Sequence, residues 1–253
     1  MQIALDRLDA HLKRELRPVY TVWGDEPLLA QEAADAIRAA ARAAGCSERQ
    51  VHTVQGAHFD WSGLLGASQA LSLFADRQLI EIRIPSGKPG KDGSEALQRY
   101  CEIAAEGEGR DVITLVQLPR LDRSQQSSAW FGALDRAGVA LRVDAIERPA
   151  LPRWIAERLA AQGQHVAAGA EGQRALAFFA DRVEGNLLAA HQEIQKLALE
   201  VRGETIERDL HGVPRAGAPK RDGAAPARRC RSACRGRGTP LPAPCRAPRS
   251  RCR

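Results

Sequence analysis

Short apolar runs alternate with longer segments of helical spacing along roughly the first 143 residues of the chain. The apolar runs cover 19–23, 78–84, 111–116 and 139–143, the segment 50–55 is a further candidate strand, and the helical spacing covers 27–44, 60–71, 94–105 and 124–137. Runs of this length predict strands, and the segments between them predict amphipathic helices. Because strands that alternate with helices favour a mostly parallel sheet covered on both faces, we predict an α/β domain over residues 1–143.

The strand signal stops after the last of these runs, and Pro149 and Pro152 mark a boundary. Amphipathic helical segments follow at 151–162, 170–182 and 187–201. Gly185 suits the end of the second helix, and Asn186 is a favoured N-cap for the third. We therefore predict a small three-helix domain over residues 144–206.

The composition changes abruptly beyond that domain. Residues 210–253 hold seven of the 14 prolines, four of the six cysteines and no aromatic residue. This segment has too few apolar side chains for their burial to offset the entropy of ordering the backbone. We therefore predict a disordered tail over 207–253. Its mixture of Arg, Ala, Pro, Gly and Cys is also what a GC-rich gene gives when it is translated out of frame. We expect a frame error, which resequencing the codons for 203–215 would reveal.

The net positive charge of the chain comes from the same tail. The net charge is +6, but residues 210–253 hold 12 of the 37 basic residues and one of the 31 acidic ones, which leaves 25 basic and 30 acidic residues in 1–209. The body is therefore acidic, and any attraction to phosphate would belong to the tail. An alternative function, binding of nucleic acid through the basic tail, remains open on this evidence.

The sequence shows no membrane segment, signal peptide or metal motif. No apolar run approaches the roughly 18 residues that a bilayer span requires, and the N-terminus lacks the regions of a signal peptide. The tail cysteines Cys230, Cys234, Cys245 and Cys252 are separated by three, ten and six residues, which does not match paired zinc ligands. The two body cysteines, Cys46 and Cys101, fit reduced thiols. We therefore expect a cytoplasmic protein, and the spacing of the tail cysteines leads us to expect no bound metal.

A strand, a glycine and a helix meet at residues 24–31, where an α/β domain would carry a phosphate-binding loop. Such a loop needs a second glycine, a lysine and a Ser or Thr, and this segment supplies none of them. Asp25 and Glu26 would repel a triphosphate, and we interpret them as first-turn acids of a helix. Gln117 follows strand 111–116 where an acidic pair would hold magnesium. We expect no catalytic residue, no cofactor and no enzymatic activity of the chain's own.

Three large apolar side chains, Leu71, Leu73 and Phe74, crowd together where the helix 60–71 ends and before the strand 78–84 begins. Connections lie mostly on the surface, and an apolar cluster there indicates a binding site for a partner. The alternative is that Leu73 and Phe74 tuck under the edge of the sheet.

With these residues in view, the chain resembles the delta subunit of bacterial DNA polymerase III over about residues 15–202. The resemblance rests on five segments: Gly24-Asp25-Glu26-Pro27-Leu28-Leu29, Ala70-Leu71-Ser72-Leu73-Phe74-Ala75-Asp76-Arg77, Ala129-Trp130-Phe131, Leu151-Pro152-Arg153-Trp154 and Glu184-Gly185-Asn186-Leu187-Leu188.

This resemblance implies a degenerate AAA+ (P-loop-like) α/β domain and a helical lid domain that together form a non-catalytic clamp-loader subunit. In the family, the Ser-Leu-Phe segment plugs an apolar pocket on the DNA sliding clamp, the beta subunit. The resemblance thus assigns clamp binding to Leu71, Ser72, Leu73 and Phe74, with Gln69 near the position of the glutamine in other clamp-binding peptides. It also implies that Leu188 stands where ATPase relatives carry an arginine that senses the γ-phosphate.

The chain departs from the family beyond about residue 207, where the family continues into a helical collar domain. Through that collar the loader assembles with its ATPase and delta-prime subunits, and the complex acts on primed DNA. The resemblance therefore implies clamp binding more firmly than it implies assembly of the loader.

Overall fold

A computed structural model of the chain describes residues 1–56, 59–69, 77–106, 111–200, 205–208 and 214–216. The strands are β1 (Gln2–Ile3), β2 (Val19–Gly24), β3 (Cys46–Thr53), β4 (Arg77–Arg83), β5 (Val112–Leu118), β6 (Val139–Val143), β7 (His165–Val166), β8 (Thr205–Arg208) and β9 (Pro214–Ala216). The α-helices are α1 (Leu8–Arg14), α2 (Pro27–Ala43), α3 (Trp61–Gln69), α4 (Gly90–Glu106), α5 (Arg123–Gln126), α6 (Ala129–Ala137), α7 (Leu151–Ala161), α8 (Ala170–Val183) and α9 (Leu187–Glu200).

Six parallel strands form one sheet in the order β1-β6-β2-β5-β4-β3. From β2 the chain runs out to the far edge at β3, returns through β4 and β5, and passes β2 to reach β6. Since crossovers between parallel strands are right-handed, outward and returning connections must lie on opposite faces of the sheet. The predicted α/β fold class, a parallel sheet followed by a helical region, is confirmed over the described residues.

The core consists of two apolar clusters, one on each face of the sheet. On one face α2 packs with helices α7, α8 and α9, and Ile37, Ile155 and Ile194 are buried there. On the other face α3, α4 and α6 pack together, with Leu64 and Leu97 fully buried. Because both faces are covered, the central strands are apolar along nearly their whole length, which made them recognisable in the sequence.

The sheet domain differs from the sequence-based prediction in several places, among them an added edge strand and a divided helix. The strand β1 pairs with β6 at the sheet edge, and the amino group of Met1 donates to the carbonyl of Gly138 at 2.8 Å. A two-residue strand is too short to give a periodic signal. The single helix predicted over 124–137 is two helices, because Ser128 has an extended backbone and begins α6.

The strands β7, β8 and β9 form a second, three-stranded sheet. Strand β8 pairs in parallel with β7 and antiparallel with β9. The structure thus places backbone pairing at 207–208 and 214–216, inside the range for which we predicted disorder, because composition does not reveal strand pairing. The segment 217–253 lies outside the described residues, and the bounds of the three predicted domains stay predictions.

Candidate functional site

The predicted binding residues fall where the chain passes from α3 to β4. Gln69 is the last residue of α3, whereas Leu71, Ser72, Leu73 and Phe74 lie outside the described residues. The structure therefore describes the two elements that carry this segment. Because all six strands of this sheet are parallel, β4 starts at the amino edge of the sheet.

Helix α3 is fixed firmly on α4. The Asp60 carboxylate begins the helix by accepting from the Gly63 amide at 3.0 Å and from the Ser62 hydroxyl at 2.6 Å. The Trp61 ring lies so close to Gly93 of α4 that a Cβ there would stand 2.4 Å from Trp61 Cζ2. A side chain at residue 93 would push α3 away, so glycine is required for this packing.

A buried glutamine ties the end of α3 to the start of β4. The Gln78 side chain, 4% exposed, donates through Nε2 to the carbonyl of Ala67 at 3.0 Å. Gln50 of β3 donates to Gln78 Oε1 at 3.3 Å, and the Ser68 hydroxyl closes the last turn by donating to the carbonyl of Leu65 at 2.8 Å. The two elements that carry the predicted binding segment are thus held together. This contact between Gln78 and α3 was not predicted from the sequence, although a glutamine at the start of an apolar strand could have suggested it.

The opposite, carboxyl edge of the sheet contains the place where a phosphate-binding loop would stand. Gly24 closes β2 against β6, and a Cβ there would lie 1.7 Å from the carbonyl oxygen of Val143. The Asp25 amide donates to the same carbonyl at 3.1 Å. Only glycine fits residue 24, so the glycine at this turn has a packing reason independent of phosphate.

Carboxylates of the chain itself occupy the start of α2. Glu26 is the N-cap and accepts from the Leu28 amide at 3.3 Å, while burial raises its pKa. The Asp25 carboxylate accepts from Arg120 at 2.7 Å, and that hydrogen bond lowers the pKa of Asp25. The predicted first-turn placement is therefore corrected, since both acids precede the first turn. Leu188, which stands at the position of the expected arginine, is the second residue of α9 and is exposed.

The structure also contains a buried acidic residue that the sequence analysis did not single out. Glu81, in the middle of β4, is fully buried and accepts hydrogen bonds from three arginines. Arg38 of α2 donates at 2.7 and 3.0 Å, Arg49 of β3 at 2.6 and 3.0 Å, and Arg83 at 3.2 Å. Burial alone would raise the pKa of Glu81, but these guanidinium groups outweigh it and lower the pKa to about 2.

The described residues contain no candidate metal site and no membrane-spanning helix, and their two cysteines are buried. No group of three or more His, Cys, Asp or Glu side chains there could hold a metal ion. Cys46 and Cys101 are both buried, and burial raises the pKa of Cys101 to about 12, so it is an unreactive thiol. Among the same residues, no helix is long and apolar enough to cross a membrane.

The chain is similar to known proteins of one family in sequence. Residues 20–143 match the family described as DNA polymerase III, delta subunit. The chain is 31% identical over 194 residues to the DNA polymerase III subunit delta of Escherichia coli (strain K12), and 27% identical over 197 residues to that of Haemophilus influenzae. Each alignment covers 77% of this chain and 54% of the relative, so the chain spans about half the length of the curated relatives it matches.

A solved structure shares the fold. The Bacillus subtilis DNA clamp loader delta protein matches with a TM-score of 0.57 at 17% sequence identity, over 77% of this chain and 57% of that one. At this identity the likeness shows the fold alone, and it agrees with the predicted α/β fold class.

Proposed function

We propose that this chain, whose residues 20–143 match the family described as DNA polymerase III, delta subunit, is a non-catalytic clamp-loader subunit that binds and opens the DNA sliding clamp. Opening would allow the clamp to be loaded on primed DNA during replication. The observation that carries the proposal is the family match together with the apolar segment at 69–74, which stands between two firmly held elements.

The clamp-binding role rests on the chemistry of Leu71, Leu73 and Phe74. Burying side chains of this size in a pocket contributes on the order of 1.5 to 3 kcal/mol each before the cost of ordering them. Gln78 and α3 support this role, because two fixed ends reduce the conformational freedom that the segment loses on binding. Gln69 and Ser72 complete the proposed binding segment.

The partners expected of the family are the clamp, the ATPase subunits and the delta-prime subunit. Of these, the sequence segment at 69–74 supports the clamp directly, whereas the other contacts depend on family membership. Primed DNA would be met through the assembled complex. Because the curated relatives are replication proteins, we place this function in the cytoplasm.

The same proposal holds that the chain works without nucleotide. The start of α2 is the position where a parallel α/β sheet would bind phosphate, and here Glu26 already accepts from the helix amide. A triphosphate would also meet the Asp25 carboxylate, which is held in place by Arg120. ATP binding and hydrolysis in the loader would therefore belong to its other subunits.

We predict that calorimetric titration with magnesium and a non-hydrolysable ATP analogue gives no binding heat. The physical reason is the cost of bringing a polyanion to a helix start that is already occupied by carboxylates. An ATPase with an intact phosphate loop, titrated in the same buffer, is the positive control, and a thermal melt of the same sample verifies folding. Saturable binding of the analogue would contradict the prediction and favour an ATPase.

A further inference from the structure

Strand β3 forms the far edge of the six-stranded sheet, where it pairs with β4 and, among the described residues, with no other strand. A bulge lies between Cys46 and Glu48, and the register from Glu48 to Thr53 is then regular. Natural proteins protect edge strands with bulges, prolines, charges or covering elements, because free backbone groups can pair with another chain. The bulge protects only the start of β3, so the part from Arg49 to Thr53 is a regular edge.

The backbone of β3 has one row of polar groups that faces β4 and one row that faces away. The Val54 amide, directly after the strand, donates to the carbonyl of Arg83 at 2.8 Å, so every second residue before it also faces β4. Since successive residues of a strand direct their amides to opposite sides, those of Arg49, Val51 and Thr53 point away from the sheet. An added strand would therefore meet a row of amides and carbonyls.

Arginines surround this edge on the face of the sheet that α2 covers. Glu81 accepts from Arg38, Arg49 and Arg83, so one carboxylate is shared by three guanidinium groups. The Arg49 and Arg83 side chains are 47% and 40% exposed, and each keeps guanidinium donors beyond those that Glu81 accepts. In the described part of the chain, only Asp35 adds a second carboxylate to this cluster, by pairing with Arg38. The edge is therefore locally positive.

The edge also has an apolar centre. Val51, 44% exposed, lies between Arg49 and Thr53 on one face, since side chains two residues apart share a face of a strand. A second copy of this chain could pair with the edge in an antiparallel arrangement, but it would bring the same arginine cluster to the same face of the joined sheet. Like charges disfavour that pairing, whereas a strand with carboxylates on either side of an apolar residue complements the edge.

We propose that the β3 edge binds an extended acidic segment of a partner protein as an added strand. The main chain of the partner pairs with the outward amides and carbonyls of Arg49, Val51 and Thr53, which provides the affinity of such complexes. An apolar side chain of the partner packs on Val51, and a carboxylate two residues away accepts from Arg49. Arg83 adds positive charge from the next strand. The proposal is separate from clamp binding, because it uses none of the residues 69–74.

The test titrates the full chain with the peptide acetyl-Ser-Thr-Asp-Thr-Val-Thr-Asp-Thr-Ser-amide, followed by hydrogen exchange in ¹H–¹⁵N NMR and by fluorescence anisotropy of a labelled copy. The peptide should slow exchange of the Arg49, Val51 and Thr53 amides. Asn in place of both Asp residues should weaken binding at least about tenfold, since charge-assisted hydrogen bonds are the stronger ones. N-methylation of alternate peptide residues should abolish binding in one of its two patterns and leave it in the other, because only one edge of the peptide meets β3.

Variants of the chain test the same contacts from the other side. Val51→Pro removes an outward amide and should weaken peptide binding at least about tenfold, with a nearly unchanged melting temperature because that amide has no partner in the sheet. Arg49→Gln keeps a donor for Glu81 but removes the charge, and it should also weaken binding about tenfold. Arg99→Ala, an exposed arginine on α4 paired with Glu102, is the matched control and should leave the affinity unchanged.

Several results would overturn the proposal. Edge amides that exchange equally fast with the peptide, equal binding of the Asp and Asn peptides, or equal binding of both N-methyl patterns would each do so, even if a thermal melt showed that Val51→Pro fails to fold. An oligothymidylate that protects the same amides equally well would identify a general polyanion surface. A dimer of the free chain that Val51→Pro dissociates would identify a second copy as the occupant, and either result rejects the acidic peptide. Leu73→Ala with Phe74→Ala should retain peptide binding, so failure of the clamp proposal is distinguishable from failure of this one.

Discussion

Replacing Leu73 and Phe74 together with alanine should weaken clamp binding on the order of a hundredfold or more and leave thermal unfolding nearly unchanged. The binding loss follows from the removal of two large apolar anchors from one pocket. If the side chains are exposed in the free protein, folding does not depend on them. If they belonged to the core, each truncation would instead cost about 2 to 5 kcal/mol of stability.

The experiment pairs surface plasmon resonance on immobilised clamp with thermal unfolding of the same samples. Two leucines of known burial calibrate it. Leu64 in α3 is almost fully buried, so Leu64→Ala should lower the melting temperature, whereas Leu199 is 83% exposed, and Leu199→Ala should change neither measurement. A double variant that unfolds at a lower temperature, and whose folded fraction still binds the clamp normally, would contradict the prediction. It would show that Leu73 and Phe74 belong to the core and do not carry clamp binding.

Clamp opening imposes a further requirement on this segment. A subunit that bound the open and closed clamp rings equally would not shift the equilibrium between them. A subunit that opens the ring must therefore bind the open ring more tightly than the closed one. Helix α3 is suited to transmit that preference because Asp60, Trp61 and Gln78 hold both of its ends. We therefore expect the double variant to lose ring opening together with binding.

The fold was predictable wherever local pattern decides the outcome. The strand 139–143 was predicted at its observed bounds, and the predicted helix start at Pro27 was also correct. Both have strong local signals, an apolar run in one case and a proline before a periodic segment in the other. The order of strands in the sheet could not be predicted, because alternation of elements does not specify which strands are neighbours.

The site was less predictable because its partners are distant in sequence. Asp25 could be recognised as an acid near a helix start, but its partner Arg120 is 95 residues away on the loop after β5. Glu81 was visible as one charge inside an apolar strand, yet Arg38 and Arg49 come from other elements, 43 and 32 residues away. Only the fold brings these charges together.

Glu81→Gln is expected to destabilise the fold by about 3 to 5 kcal/mol, since removing one partner of a buried ion pair leaves the other charge uncompensated. Glutamine keeps the size of the side chain but removes the charge that three guanidinium groups share. Its amide nitrogen would also face arginine donors. Arg38 is the most affected, because it is itself buried and keeps only Asp35 as a partner. Glu102→Gln, which breaks the exposed pair with Arg99, is the matched control and should cost less than about 0.5 kcal/mol.

The buried carboxylate of Glu81 also determines how the free energy of unfolding should depend on pH. Its pKa is lowered on folding from the model-peptide value of 4.5 to about 2, so the folded state holds the proton less tightly than the unfolded state does. The stabilisation is therefore fully present above about pH 4.5 and is lost progressively as the pH falls towards 2. Urea unfolding of the native chain and of Glu81→Gln, measured from neutral pH down to about pH 2, should give free energies of unfolding that differ most near neutral pH and converge in acid. A constant difference across the range would show that the arginines do not depend on the charge of Glu81.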